Sequence, residues 1–128
     1  MSIRVEIGPG ELIDRITILR IKSERIEGEE ALGHIRAELE MLLEAFERDI
    51  RGNEELERLT AELKEINEKL WDTENEIREC ERDGDFGSRF IELARSVYKT
   101  NDLRAAVKRR IDEMLSSRIT DIKSYERY

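Results

Sequence analysis

Carboxylates and cations stand at helical positions where the pattern calls for apolar residues. In the predicted third helix, the face that carries leucines and isoleucines continues into Glu74 and Glu81, seven residues apart. In the predicted fourth helix, Arg104 and Lys108 fall within the apolar face. Inward carboxylates need partners, because burying a lone charge is costly. Arginine and lysine supply fixed donors that hold a carboxylate or a phosphate. The pattern is therefore compatible with a site for an anionic ligand.

The candidate ligand-binding residues are the polar and aromatic side chains on or beside these two faces. They are Asn67, Trp71, Glu74, Arg78 and Glu81 on the third helix, and Arg95, Tyr98, Asn101, Arg104 and Lys108 on the fourth. Counting outward from the turn at Asp85 and Phe86 places Glu74 within reach of Arg95, Tyr98 or Asn101, and Asn67 opposite Arg104.

Two structural alternatives stay open beside the ligand site. The fourth helix can break at Thr100, Asn101 and Asp102, because Asn and Asp are good N-caps. The helical phase would then reset and leave Arg104 at the edge of the inward face. Alternatively, the carboxylates and cations form structural ion pairs that fix how the helices pack.

Composition excludes several classes of function. The single cysteine, Cys80, rules out an internal disulfide framework and a Cys-based zinc site, and the single histidine, His34, rules out a metal site of three histidines. Few options for nucleophilic catalysis remain, so acyl transfer by a catalytic triad is disfavoured. We expect no cofactor and no metal. The net charge of −8 argues against nonspecific nucleic-acid binding, which needs a basic face, although the basic fourth helix keeps nucleic-acid binding as a third alternative. No apolar run is long enough for a signal peptide or a membrane span, so we expect a cytoplasmic protein.

Charge is unevenly spread along the chain. Residues 1–87 carry 13 basic and 25 acidic side chains, a net of −12, whereas residues 88–128 carry 10 basic and 6 acidic ones, a net of +4. Such asymmetry is typical of electrostatic complementarity within a chain or between subunits.

Glycines and helical periodicity divide the chain into four helices. They are predicted at about Pro9 to Ile26, Glu29 to Arg51, Glu54 to Asp83 and Ser88 to Ser117. Short connections imply an all-α, antiparallel helical bundle, with residues 1–128 as a single domain. Alternating apolar residues at 3–7 predict a short terminal β-strand, with a second one beside it within residues 118–128.

The first helix is apolar on two sides. Leu12, Ile16 and Leu19 lie on one stripe, and Ile18 and Ile21 lie away from it. Such a helix sits either at the centre of a bundle or at a dimer contact. We therefore expect an interaction or oligomerisation module. It forms a homo-oligomer, namely a dimer, or it binds a protein partner. The alternative is a small enzyme or sensor that binds an anionic metabolite between the third and fourth helices.

Two segments together resemble a small bacterial family of roughly this length that has no assigned function. The first reads Pro9-Gly10-Glu11-Leu12-Ile13-Asp14-Arg15-Ile16-Thr17-Ile18-Leu19, with Ile21-Lys22 and Glu24-Arg25-Ile26 after it. The second comprises Leu70-Trp71, Glu74, Ile77-Arg78, Cys80-Glu81, Asp85-Phe86-Gly87, Phe90 to Arg95, Val97-Tyr98, Asn101-Asp102, Lys108-Arg109 and Lys123-Ser124-Tyr125. This resemblance covers nearly the whole chain and implies a bacterial protein, but it transfers no activity.

A shorter stretch, Leu12-Ile13-Asp14-Arg15-Ile16, resembles the start of the helical chorismate mutases. Those enzymes are all-α dimers that hold a dicarboxylate with Arg and Lys. The remainder of their pattern does not align with this sequence, so no catalytic residue is carried over.

Overall fold

A computed structural model describes residues 1–117 and builds them into four α-helices. Helix α1 spans Pro9–Arg25, α2 Glu29–Asp49, α3 Glu54–Asp83 and α4 Ser88–Met114. Local chemistry accounts for the α3 ends: the Asn53 side chain accepts a hydrogen bond from the Leu56 amide at 2.8 Å, and Gly84 ends the helix in the left-handed conformation at φ 66°. The predicted all-α fold is confirmed.

Helix α1 lies at the centre of the bundle. It packs against α2, α3 and α4, whereas α3 and α4 pair as an antiparallel hairpin. The two apolar sides of α1 were the reason for expecting a central helix or a dimer contact. Within the described part of one chain, α2, α3 and α4 cover these sides. The core consists of residues from α1, α3 and α4, namely Ile13, Leu56, Leu59, Leu63, Val107 and Ile111.

Helix α4 runs without interruption through Thr100, Asn101 and Asp102, as the predicted continuous fourth helix requires, and this excludes the alternative in which the helix breaks there. Thr100 is buried in the continuous helix. The capping preference of Asn and Asp is a local effect, and tertiary packing on the neighbouring helices overrides it.

Residues 3–7 do not form the predicted strand. Ile3 and Val5 are exposed to 77% and 74% of their surface, and an isolated strand has no ladder to stabilise it. The second predicted strand, within 118–128, lies outside the described residues. Over residues 1–117, none of the helices has the length and apolarity that a bilayer crossing would require.

Candidate functional site

A buried carboxylate joins three helices at the centre of the bundle. Asp14 of α1 is 1% exposed. Arg104 of α4 binds it in a bidentate manner, Nε donating to Oδ1 at 2.9 Å and Nη2 donating to Oδ2. Asn67 of α3 donates from Nδ2 to the same Oδ1 at 2.9 Å. The pair between Asp14 and Arg104 is the planar, two-pronged arrangement that orients a guanidinium most firmly.

Thr17 completes this cluster one turn along α1. Its hydroxyl donates to the backbone carbonyl of Asp14 at 2.7 Å, and its Oγ1 accepts a hydrogen bond from Asn67 Nδ2 at 2.9 Å. Thr17 and Asn67 are both buried. Each side chain of the cluster therefore has its partners inside the protein.

A second group of charges lies at the N-terminal end of α1. Lys108 is buried and donates from Nζ to Glu11 Oε2 at 2.7 Å, and Arg15 Nε donates to Glu11 Oε1 at 3.0 Å. Burial alone would raise the pKa of Glu11, but the hydrogen bonds and charges of Lys108 and Arg15 outweigh it and hold that pKa below its usual range.

Asp112 of α4 caps the first turn of α1. The N-cap residue, Gly8, has no side chain with which to accept a hydrogen bond. Asp112 Oδ1 instead accepts one from the Gly10 amide at 2.9 Å. A carboxylate at a helix N-terminus satisfies a free amide and interacts favourably with the helix dipole. The cap thus comes from the far end of the sequence.

These contacts provide the buried polar side chains with hydrogen-bond partners. Within residues 1–117, no buried side-chain nitrogen or oxygen lacks a hydrogen-bond partner, and no group of three His, Cys, Asp or Glu residues could hold a metal ion. The cluster binds α1 to α3 and α4. Chemically, it fixes the packing of the three helices.

The edge of α2 offers a different kind of surface. Ile35 is the one buried residue of α2, and this helix packs against α1. Leu39 and Leu43 are half-exposed and form the floor of a shallow groove of about 310 Å³. Its rim is charged and consists of Arg36, Glu40, Glu44 and Glu47. Apolar residues of α2 that remain partly accessible to water are suited to a contact with another surface.

The profile of a protein family, described as a family of unknown function (DUF6165), matches residues 3–128. This chain belongs to that family. The predicted resemblance to a small helical family without assigned function is thereby confirmed. No curated protein and no solved structure matches the chain, so the resemblance to helical chorismate mutases gains no support.

Three of the ten predicted site residues take part in the polar clusters. Asn67 and Arg104 face each other as predicted, since both bind Asp14 Oδ1. Lys108 lies one turn further along α4 and binds Glu11. The partners of both cations come from α1, whereas the sequence analysis expected carboxylates from the third helix.

The predicted inward positions of Glu74 and Glu81 are wrong. Both side chains are exposed, and Glu74 forms an ion pair with Arg78 at 3.2 Å on the outer surface of the same helix. The buried positions in this part of α3 are Thr73 and Cys80. They lie one residue earlier, and one residue of an α-helix is about 100° of rotation.

The remaining candidates are dispersed. Arg78 and Arg95 are exposed, Tyr98 is 44% exposed, and Trp71 and Asn101 are half-buried. None of the hydrogen bonds of the Asp14 cluster described above involves them. Their role in ligand binding stays a prediction without a common site.

The α1 half of the cluster was not predicted from the sequence. Gly10, Asp14, Thr17 and Ile21 recur at intervals of four, three and four residues, which is the spacing of one helix face. All four are buried. The polar side chains Asp14 and Thr17 lie on the same helix face as Ile21. This pattern could have indicated from the sequence that α1 requires polar partners on its neighbouring helices.

Proposed function

We propose that this protein is a helical interaction module that forms a homodimer through the groove along α2. The observation that carries the proposal is the half-exposed pair Leu39 and Leu43, which lines the groove along α2. Covering apolar surface with a second apolar surface is favourable by roughly 25 cal/mol per Å² removed from water.

The rim charges are arranged in a self-complementary way. Arg36 and Glu47 are equally distant in sequence from the midpoint between Met41 and Leu42. If two α2 helices pack antiparallel about a two-fold axis at that midpoint, Arg36 of each copy lies opposite Glu47 of the other. The same two residues would therefore form an ion pair at each end of the contact, with Leu39 and Leu43 between them.

The alternative function, binding of an anionic metabolite between α3 and α4, has less support from the geometry. Its principal donors, Arg104 and Lys108, already bind Asp14 and Glu11. A ligand would have to displace these carboxylates and leave a buried charge unpaired, which is costly.

Sedimentation velocity across the micromolar range tests the proposal. We expect a dimer that dissociates on dilution. Arg36→Glu and Glu47→Lys should each weaken association by roughly tenfold, equivalent to about 1.4 kcal/mol, because each places like charges together at both ends. The double variant Arg36→Glu/Glu47→Lys restores opposite charges and should restore the dimer.

Glu65→Lys is the matched control, because Glu65 is an exposed carboxylate of α3 outside the groove. It should leave the dissociation constant unchanged. A monomer at every concentration would overturn the proposed function. Equal weakening by Glu65→Lys and Glu47→Lys would overturn the proposed contact.

A further inference from the structure

A second cleft in the described part of the chain is larger than the α2 groove. It has a volume of about 930 Å³ and opens between residues 3–8, the first turns of α1 and the C-terminal half of α2. Leu39 and Leu43 do not line it. Ligand sites in proteins are mostly concave, largely apolar spaces of about 300–1,000 Å³ with a few polar groups that converge on the ligand.

Arginines converge on this cleft in a chain that is otherwise acidic. Arg4, Arg15, Arg48 and Arg51 line it, against three carboxylates, whereas the whole chain carries a net charge of −8. Arg15 is paired with Glu11 at 3.0 Å, and Arg48 with Asp49 at 3.2 Å.

Arg4 and Arg51 form no ion pair with any residue in the range 1–117, and both are exposed. Two guanidinium groups without carboxylate partners are well suited to bind a carboxylate or phosphate oxygen, because each presents several donors in a planar fork.

The same cleft collects exposed apolar side chains. Ile3, Val5 and Met41 line it, and Met41 is exposed to 60% of its surface. Leu12 and Leu42 lie in the same wall. Apolar surface that stays in contact with water is stabilised when an apolar body covers it. A ligand matched to this cleft therefore combines a negative group with an apolar part.

We propose that the cleft binds a soluble, single-chain amphiphilic anion. Its carboxylate or phosphate head contacts Arg4 and Arg51, and its apolar chain lies against Ile3, Val5 and Met41. Glu44 borders both this cleft and the α2 groove, but Leu39 and Leu43 line only the groove, and Arg4, Arg51, Ile3 and Val5 line only the cleft. Variants at these residues therefore test ligand binding and self-association separately.

Isothermal titration calorimetry of the full chain with decyl phosphate below its micellar concentration tests the proposal. We expect saturable one-to-one binding. Decyl maltoside, which has the chain without the charge, and inorganic phosphate, which has the charge without the chain, should each bind at least tenfold more weakly. Circular dichroism at the end of each titration checks that the protein remains helical.

Arg4→Gln/Arg51→Gln should weaken decyl phosphate binding at least tenfold. The matched control is Arg20→Gln/Arg109→Gln, which removes the same charge from two exposed arginines that do not line the cleft. It should bind as the unmodified protein does. Ile3→Ser/Val5→Ser tests the apolar half of the site and should also weaken binding.

Four results would overturn the inference. They are absence of decyl phosphate binding, equal binding of decyl maltoside, equal loss in the two arginine double variants, and binding only to vesicles that contain phosphatidic acid. The last result would identify a membrane surface as the source of the anion.

Discussion

Gly10 of α1 approaches the backbone carbonyl of Lys108 so closely that a β-carbon at position 10 would stand 2.5 Å from that oxygen. The contact allows α1 to lie against α4 at the point where Asp112 caps it. The obstacle is backbone rather than a side chain that can rotate away. Any residue larger than glycine therefore has to separate the two helices.

Gly10→Ala should destabilise the protein by about 1–3 kcal/mol, since the added methyl group overpacks the contact. The substitution would otherwise be mildly favourable, because alanine is the better helix former. Gly33→Ala is the control: it lies in α2, and an added β-carbon there meets nothing within 4 Å. That variant should gain about 0.5–1 kcal/mol. Urea unfolding followed by circular dichroism measures both, and the same sign for the two variants would contradict the close approach.

Asp112→Ala should lower the free energy of unfolding by about 1–2 kcal/mol, because the first turn of α1 loses its acceptor. Asp112→Asn keeps a side-chain oxygen and should cost less, since Asn and Asp cap helices about equally well. Glu113→Ala changes the exposed neighbour and should stay within about 0.5 kcal/mol. Thermal and urea denaturation provide the comparison. Equal losses for Asp112→Ala and Glu113→Ala would argue against capping.

The four helices could be predicted with nearly their observed bounds, because the residues that start and end a helix act locally. Pro9, Asn53 and Gly84 each act within a few residues of the helix end that they mark. The predicted end of the fourth helix at Ser117 was three residues too long, since the α-helix ends at Met114. The alternative of a helix break near Asn101 also rested on a local preference, the tendency of Asn and Asp to cap helices. The helix is continuous there because its packing in the bundle outweighs that preference.

The candidate site was predictable only in part. The inward positions of Arg104 and Lys108 followed from the pattern of α4, but their partners did not. Which of α1 and α3 supplies the carboxylates depends on how the two helices are rotated about their axes. On α3, the prediction had the right period but the wrong phase. Leu59, Ile66, Thr73 and Cys80 are seven residues apart and are buried or packed against the core, whereas Glu74 and Glu81 are each one residue, or about 100°, away.

Glu11 should make stability depend on pH in the acidic range. Its pKa in the folded protein lies below the ordinary value of 4.5, chiefly because the hydrogen bonds from Lys108 and Arg15 outweigh the opposing effect of burial. Its contribution to stability is therefore complete above the unfolded pKa and is lost as the pH falls through the lower, folded pKa.

The comparison of Glu11→Gln with the unmodified protein isolates this effect. The difference in unfolding free energy between the two proteins should be largest near neutral pH and should shrink well below pH 4.5. Urea titrations at several pH values measure it. A difference that stays constant with pH would show that the side chain acts through packing rather than charge.

Arg104→Met should be among the most damaging substitutions, with a loss of about 3–5 kcal/mol, because it leaves the buried Asp14 carboxylate without its cation. Asp14→Asn/Arg104→Met removes both charges and should cost less than the sum of the single variants, with a coupling energy of about 0.5–3 kcal/mol. Glu74 and Arg78 form the control pair, since both are exposed and four residues apart on α3. The same cycle on that pair should give only about 0.3–0.5 kcal/mol. Comparable coupling energies for the two pairs would mean that the buried cluster does not hold α1 against α4.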